Sequence, residues 1–335
     1  MNCINEYSSK ENVVKKHFDE IDIVKGIAIL FVMWHHSFIQ HPIYMLDIPW
    51  VKYAVAIHSP FYLNVFFLVS GYLFANSKPR SFVENFKKKV SRLLIPYTSI
   101  AIINLVVKLM FPSLVNEKVG DIGEYLWHFI FEGGELWFVY TLFLIFLVWP
   151  PFIQKIRKKI ILVLIILLLV FASIVVPYGE FLLYSHFLIY SCFFLSGYLL
   201  KNIDRSFFKN NRNFCISALL FIVLGVIFVQ TEFIPYVWPF VLAVIGCWFV
   251  WSLSFKLLML KPADKVLSFC GKYSLAYYWL NSFAYVIART LIVTVLHIES
   301  TPVIAISIFL FCVITQTIAI LIIRKIPYIR AMIGI

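Results

Sequence analysis

Four ionisable side chains interrupt the first apolar run of the chain, which reads D-I-V-K-G-I-A-I-L-F-V-M-W-H-H from Asp22 to His36. On a helix, residues eleven apart return to nearly the same angle after about three turns. Lys25 and His36 have that spacing, so they share a face, separated along the axis by roughly 16 Å. Asp22 sits three residues before Lys25, where the two side chains can meet. His35 lies beside His36. If the helix crosses a bilayer, an acid–base pair stands near one face and a histidine well inside. Charge recognition and proton transfer are the chemistry open to such a set, because ionisable groups at that depth are costly and usually functional. The plainer reading is a snorkelling lysine and a satisfied core histidine.

Further candidates follow along the chain. Lys89 and Arg92 are three apart, point the same way on a helix and follow Lys87 and Lys88. A cationic face of this kind suits a phosphorylated ligand, anionic lipid headgroups, or topology alone. The segment E-G-G-E-L-W-F-V-Y, residues 132–140, places Glu135 and Trp137 after a Gly133-Gly134 turn. An acid beside an aromatic can hold sugar hydroxyls, although an interfacial tryptophan needs no function. Ser274, Tyr278 and Asn281 are spaced i, i+4, i+7 and form one polar stripe. Such stripes serve either as helix glue or as cavity lining. Arg289, further along the same run, is an intramembrane cation that requires a partner. His41, His58, His128, His186 and His297 fall on or near one side of the membrane, without the spacing of a metal site.

The elements that must position these residues are apolar runs. The chain of 335 residues is 62% hydrophobic and 14% charged, against roughly 45–50% and about 25% in soluble domains. This indicates an all-α polytopic membrane protein. Ten runs approach spanning length, near 21–40, 54–75, 92–111, 135–152, 159–177, 181–200, 214–231, 235–256, 273–296 and 302–323. Of 29 basic residues, 24 fall on one side of the resulting alternation. The positive-inside rule then predicts both termini in the cytoplasm. It also explains the net charge of +12 without nucleic acid. The organisation expected is a polar cytoplasmic segment over 1–20, one transmembrane domain over 21–325 and a short tail over 326–335. The first run is expected to be a retained anchor rather than a cleaved signal. The six cysteines, Cys3 among them, form no C-x-x-C pair and read mostly as small buried hydrophobes. F-F-L-V-S-G-Y-L-F (66–74) echoes F-F-L-S-G-Y-L-L (193–200), and Gly71 and Gly197 suit close helix packing.

Taken together and in order, these motifs resemble the acyltransferase-3 family of membrane acyltransferases. That family opens with Asp, then Arg-Gly, then a helix ending in His, with ten residues between Arg and His. Here Lys25 and His36 keep the spacing, with Lys in place of Arg. Lys89-Val-Ser-Arg92 is similar to the family's Arg-x-x-Arg pair, and R-L-L-I-P-Y (92–97), L-W-F-V-Y (136–140) and G-x-x-S-x-x-x-Y (271–278) look like later family segments. Asn281 stands where many relatives have His. The resemblance implies acyl transfer from cytoplasmic acyl-CoA, acetyl-CoA by default, to a hydroxyl of an extracytoplasmic or lipid-linked glycan. Lys89 and Arg92 would hold the CoA phosphates. Lys25 would hold the donor or pair with Asp22. His36, or His35 beside it, would act as general base or transient acyl carrier. Glu135, Trp137, Ser274, Tyr278 and Asn281 would contact substrate, with no metal. The setting implied is the bacterial plasma membrane, with membrane lipid, a second copy or polysaccharide-synthesis proteins as partners. Two other readings stay open at this point. One is a transporter or flippase for a lipid-linked sugar or acyl carrier, the other a non-catalytic partner in a surface-polysaccharide complex.

Overall fold

The structure is a computed structural model that describes residues 17–39, 45–112, 115, 119–175, 182–230 and 237–334. Cys3, Lys10, Lys15, Lys16, His41 and Lys118 lie outside the described residues, as does most of the segment over 1–20.

The described residues form helices and no strand. In chain order they are α1 (Asp19–Ile39), α2 (Pro49–Ala75), α3 (Phe82–Lys89), α4 (Ile95–Met110), α5 (Ile122–Trp127), α6 (Trp137–Lys155), α7 (Lys159–Val175) and α8 (Leu182–Leu200). They continue as α9 (Ser206–Lys209), α10 (Asn211–Gln230), α11 (Val237–Leu257), α12 (Lys261–Lys272), α13 (Ser274–Arg289), α14 (Thr301–Ile323) and α15 (Pro327–Met332). Among the described residues, nine helical stretches are long and apolar enough to cross a membrane. α7, the fifth expected run, has 17 residues, at the short end of what a bilayer requires. The end of the bundle where α1 begins is called basal below, and the opposite end distal.

Three boundaries differ from the sequence reading. The third stretch begins at Phe82 rather than near 92, because Ser81 and Glu84 form a reciprocal capping box that starts a helix in the basic loop. It runs to Met110 through a π-helical turn, Val90–Leu94. The fourth starts at Ile122, continues through the π turn His128–Glu132 and the 3-10 turn Gly134–Leu136, and passes Pro150 and Pro151 to end at Lys155. Finally, part of the basic loop over 256–272 is the helix α12. It packs along α1.

Close backbone approach fixes two of the helix pairs. A Cβ on Gly71 would overlap the backbone of Phe194, and one on Gly197 would overlap that of Leu68. The echoing segments F-F-L-V-S-G-Y (66–72) and F-F-L-S-G-Y (193–198) are therefore facing surfaces of α2 and α8. At the basal end, Gly26 meets the Leu267 backbone and Gly271 meets Asp22 and Gly26, which seats α12 on α1. Small residues permit such contacts in membranes, where lipid is as apolar as the side chains and packing must supply the association energy. Buried Glu20 adds a polar tie, accepting from Arg205 at 2.6 Å.

Alanine scanning of glycines tests this packing. Gly71→Ala and Gly197→Ala each lower the melting temperature of the detergent-solubilised protein, at an overpacking cost of at least about 1–3 kcal/mol. Gly225→Ala, whose Cβ would meet Ile57 only at 3.8 Å, leaves it unchanged.

Candidate active site

At the basal end the helices enclose a cavity of about 870 Å3, within the range of roughly 300–1,000 Å3 that ligand sites occupy. Its walls follow helical periodicity. α1 contributes Lys25, Ile29 and Val32, α2 contributes Phe66, Ser70 and Leu73, Ser77 follows just after α2, and α6 contributes Phe138, Leu142 and Phe146. The next position on the α1 stripe is His36, one turn beyond Val32.

The charge around the cavity has one sign. Nine cationic side chains line it: Lys25, Arg80, Lys88, Lys89, Arg92, Lys272, Arg324, Lys325 and Arg330. No acid lines it among the described residues. These cations come from α1, the α3 region, the α12–α13 junction and the chain's last basic residues. The basal part is therefore strongly electropositive, while the part toward Val32, Leu63 and Phe66 is apolar. Such a field gathers a polyanion and directs its uncharged portion inward.

Individual geometry refines the sequence expectations. Lys25 and Asp22 meet at 2.6 Å, and His17 approaches the same carboxylate at 3.2 Å, so Lys25 both pairs and lines the cavity. Lys89 and Arg92 both reach the cavity. Lys89 Nζ sits 3.1 Å from the centre of the Phe146 ring, a cation–π contact that holds it in place. Arg92 belongs to the π turn, a distortion frequent at functional sites. Ser274 and Tyr278 line the wall. Asn281 does not; its side-chain oxygen accepts from Gln316 at 3.3 Å, which joins α13 to α14.

The distal candidates occupy other surroundings. Glu135 forms an ion pair with Lys108, and both border a second cavity of about 580 Å3 with Tyr125, His128 and Glu132. Trp137 stacks on His186 at 3.9 Å. The ring of His36 lies 5.9 Å from that of Tyr285, whose hydroxyl donates to the Met33 carbonyl. His35 meets His58 at 3.3 Å. Arg289 is buried. Sequence reasoning missed Arg80, Lys272, Arg324, Lys325 and Arg330 as site residues. It also missed His58. The first five carry only the topological signal of basic loops, and no spacing rule connects His58 to α1.

Residues 18–323 match the family model described as an acyltransferase domain, acyltransferase-3. The chain belongs to that family and is a multi-pass membrane acyltransferase, which does not favour the transporter reading. Comparisons with curated proteins and with solved structures gave no match.

Asn281 separates helix glue from substrate contact. Asn281→Leu leaves Gln316 buried and unpaired, at a cost of about 1–3 kcal/mol. The expected outcome is a lower melting temperature with no change in the KM for donor at temperatures where the variant is folded.

Proposed function

We propose that the protein is an O-acyltransferase of the bacterial plasma membrane. It moves an acyl group, acetyl by default, from cytoplasmic acyl-CoA to a hydroxyl of an extracytoplasmic or lipid-linked glycan. The observation that carries this reading is the basal cavity, with nine cations, no acid among its described lining residues, and an α1 stripe that climbs toward the paired histidines. Phosphates of the donor fit the cationic mouth, where Arg92 can fork onto two oxygens and the lysines act as point charges. Lys25 stays close to the donor while Asp22 balances its charge.

The histidines at the end of α1 supply the proton acceptor for the attacking hydroxyl. Spacing from Lys25 and the continuation of the cavity stripe favour His36 within the pair. The acceptor arrives from the distal side, where Glu135 and the Trp137–His186 stack offer polar and aromatic surface. Ser274 and Tyr278 shape the wall between the two approaches.

In this reading the basal end is cytoplasmic. α7 crosses as a tenth span, which returns both termini to that side. The excess of basic residues there supports the orientation.

Two measurements test the proposal. Inverted membrane vesicles given labelled acetyl-CoA transfer label to cell-envelope glycan, and Arg92→Ala raises the donor KM about tenfold or more, the worth of a charged hydrogen bond, with Arg92→Lys intermediate. Unchanged KM in both variants rejects the phosphate role. For topology, single cysteines at Asn202 and Gly120 in a cysteine-free background should label from opposite sides with an impermeant maleimide; labelling from the same side rejects the arrangement.

A further inference from the structure

Three of the nine cations around the basal cavity, Arg324, Lys325 and Arg330, lie beyond residue 323, where the match to the family model ends. The chain does not leave the bundle there. The Lys325 N–H donates to the Ile322 carbonyl at 3.0 Å and the Ile326 N–H to the Ile323 carbonyl at 2.9 Å, which turns the chain. Pro327 then opens α15, because its fixed φ suits a first helical position and no N–H is needed there. α15 packs against α4.

Two residues after α15 seat the segment. Ile333 is only 5% exposed, whereas Tyr328 is 85% exposed. Gly334 has a φ of +71°, and a Cβ on it would lie 2.8 Å from the Arg92 carbonyl oxygen and 3.1 Å from Pro96 Cγ. Glycine meets both demands, the left-handed backbone and the close approach. Its third neighbour is Leu275, at 3.6 Å. Gly334 therefore sits between the turn that carries Arg92 and the start of α13, next to Ser274.

Charge works against this seat. The segment brings three cations to six others, with no acid among the described lining residues, and like charges at short range repel. A polyanion in the cavity reverses that opposition. Seating of the segment and binding of the anion then favour each other, each by the same factor.

We infer that residues 324–334 are a strap over the donor cavity. Arg324, Lys325 and Arg330 bind phosphate groups of the donor, the arginines by their planar forks. Ile333 and Gly334 hold the strap against the Arg92 turn. The chemistry recognised is phosphate; its assignment to coenzyme A rests on the acyl-transfer reading above.

The test uses the full chain in phosphatidylcholine nanodiscs, with coenzyme A affinity and backbone hydrogen–deuterium exchange as readouts. Coenzyme A slows exchange over residues 327–334. Arg330 is exposed, so its replacement spares the core. Arg330→Gln weakens coenzyme A binding about tenfold, the worth of a charge-assisted hydrogen bond, and Arg330→Lys keeps most of it. Gly334→Val removes no charge, yet weakens binding by a similar factor and abolishes the slowed exchange. Tyr328→Ser behaves as wild type in both readouts. Wild-type affinity in either Arg330→Gln or Gly334→Val, or bound coenzyme A that leaves the strap's exchange unchanged, overturns the inference. So does a strap slowed by adding phosphatidylglycerol but not by coenzyme A or inorganic diphosphate, which would assign the cations to lipid. Slowing by inorganic diphosphate without any binding of coenzyme A would count against the acyl-CoA reading and leave the strap an anion clamp. A strap that none of these ligands slows overturns the inference.

Discussion

Positive charge gathered around one cavity within a membrane protein is the constraint on which the rest depends. Like charges at close range repel, and they do so more strongly where water is scarce. Nine cations around about 870 Å3, with no acid among the described lining residues, form a site suited to a multiply charged anion. Contacts among the described residues relieve part of the repulsion, Lys272 Nζ lying 5.6 Å from the centre of the Tyr273 ring. Asp22 pairs with Lys25, and the Phe146 ring receives Lys89. The remaining field is what a multiply charged donor would meet.

Holding those cations together requires rigid walls, and the glycine contacts provide them. α12 is seated on α1 at Gly26 and Gly271, which places Lys272 beside the cavity. α2 is locked to α8 at Gly71 and Gly197, while α2's other face supplies the apolar wall. The same α2 carries His58 to His35. Close packing of one helix thus serves both the donor cavity and the histidine end of α1. Catalytic placement tolerates little error, since small misplacements are costly in rate.

Features carried by spacing within one helix were legible in the sequence. The Asp22–Lys25 pair, the shared face of Lys25 and His36, and the joint placement of Lys89 and Arg92 all follow from helical periodicity, and each appears in the structure as cavity lining or its direct continuation. Gly71 and Gly197 were legible too, because two similar segments implied two similar packing surfaces. What could not be read is what distant helices bring together. Arg80, Lys272 and Arg324 look like ordinary loop charges until the bundle closes around them. His58 is 23 residues from His35, with no pattern to connect them. Asn281 shared a stripe with Ser274 and Tyr278, yet Gln316, on the next helix, claims its side chain. Helix starts in basic loops were missed for a related reason: the capping box at Ser81 acts locally against a polar composition that suggested a loop.

The central claim is that the basal cavity receives an acyl-CoA. The most direct test is a cryo-electron microscopy map of the protein in nanodiscs with a non-transferable thioether analogue of acetyl-CoA. The account predicts phosphate density among Arg80, Lys88 and Arg92, and the thioether end directed along Ile29 and Val32 toward the α1 histidines. A map with the analogue bound elsewhere, or with the cavity filled by lipid at saturating analogue, would contradict it.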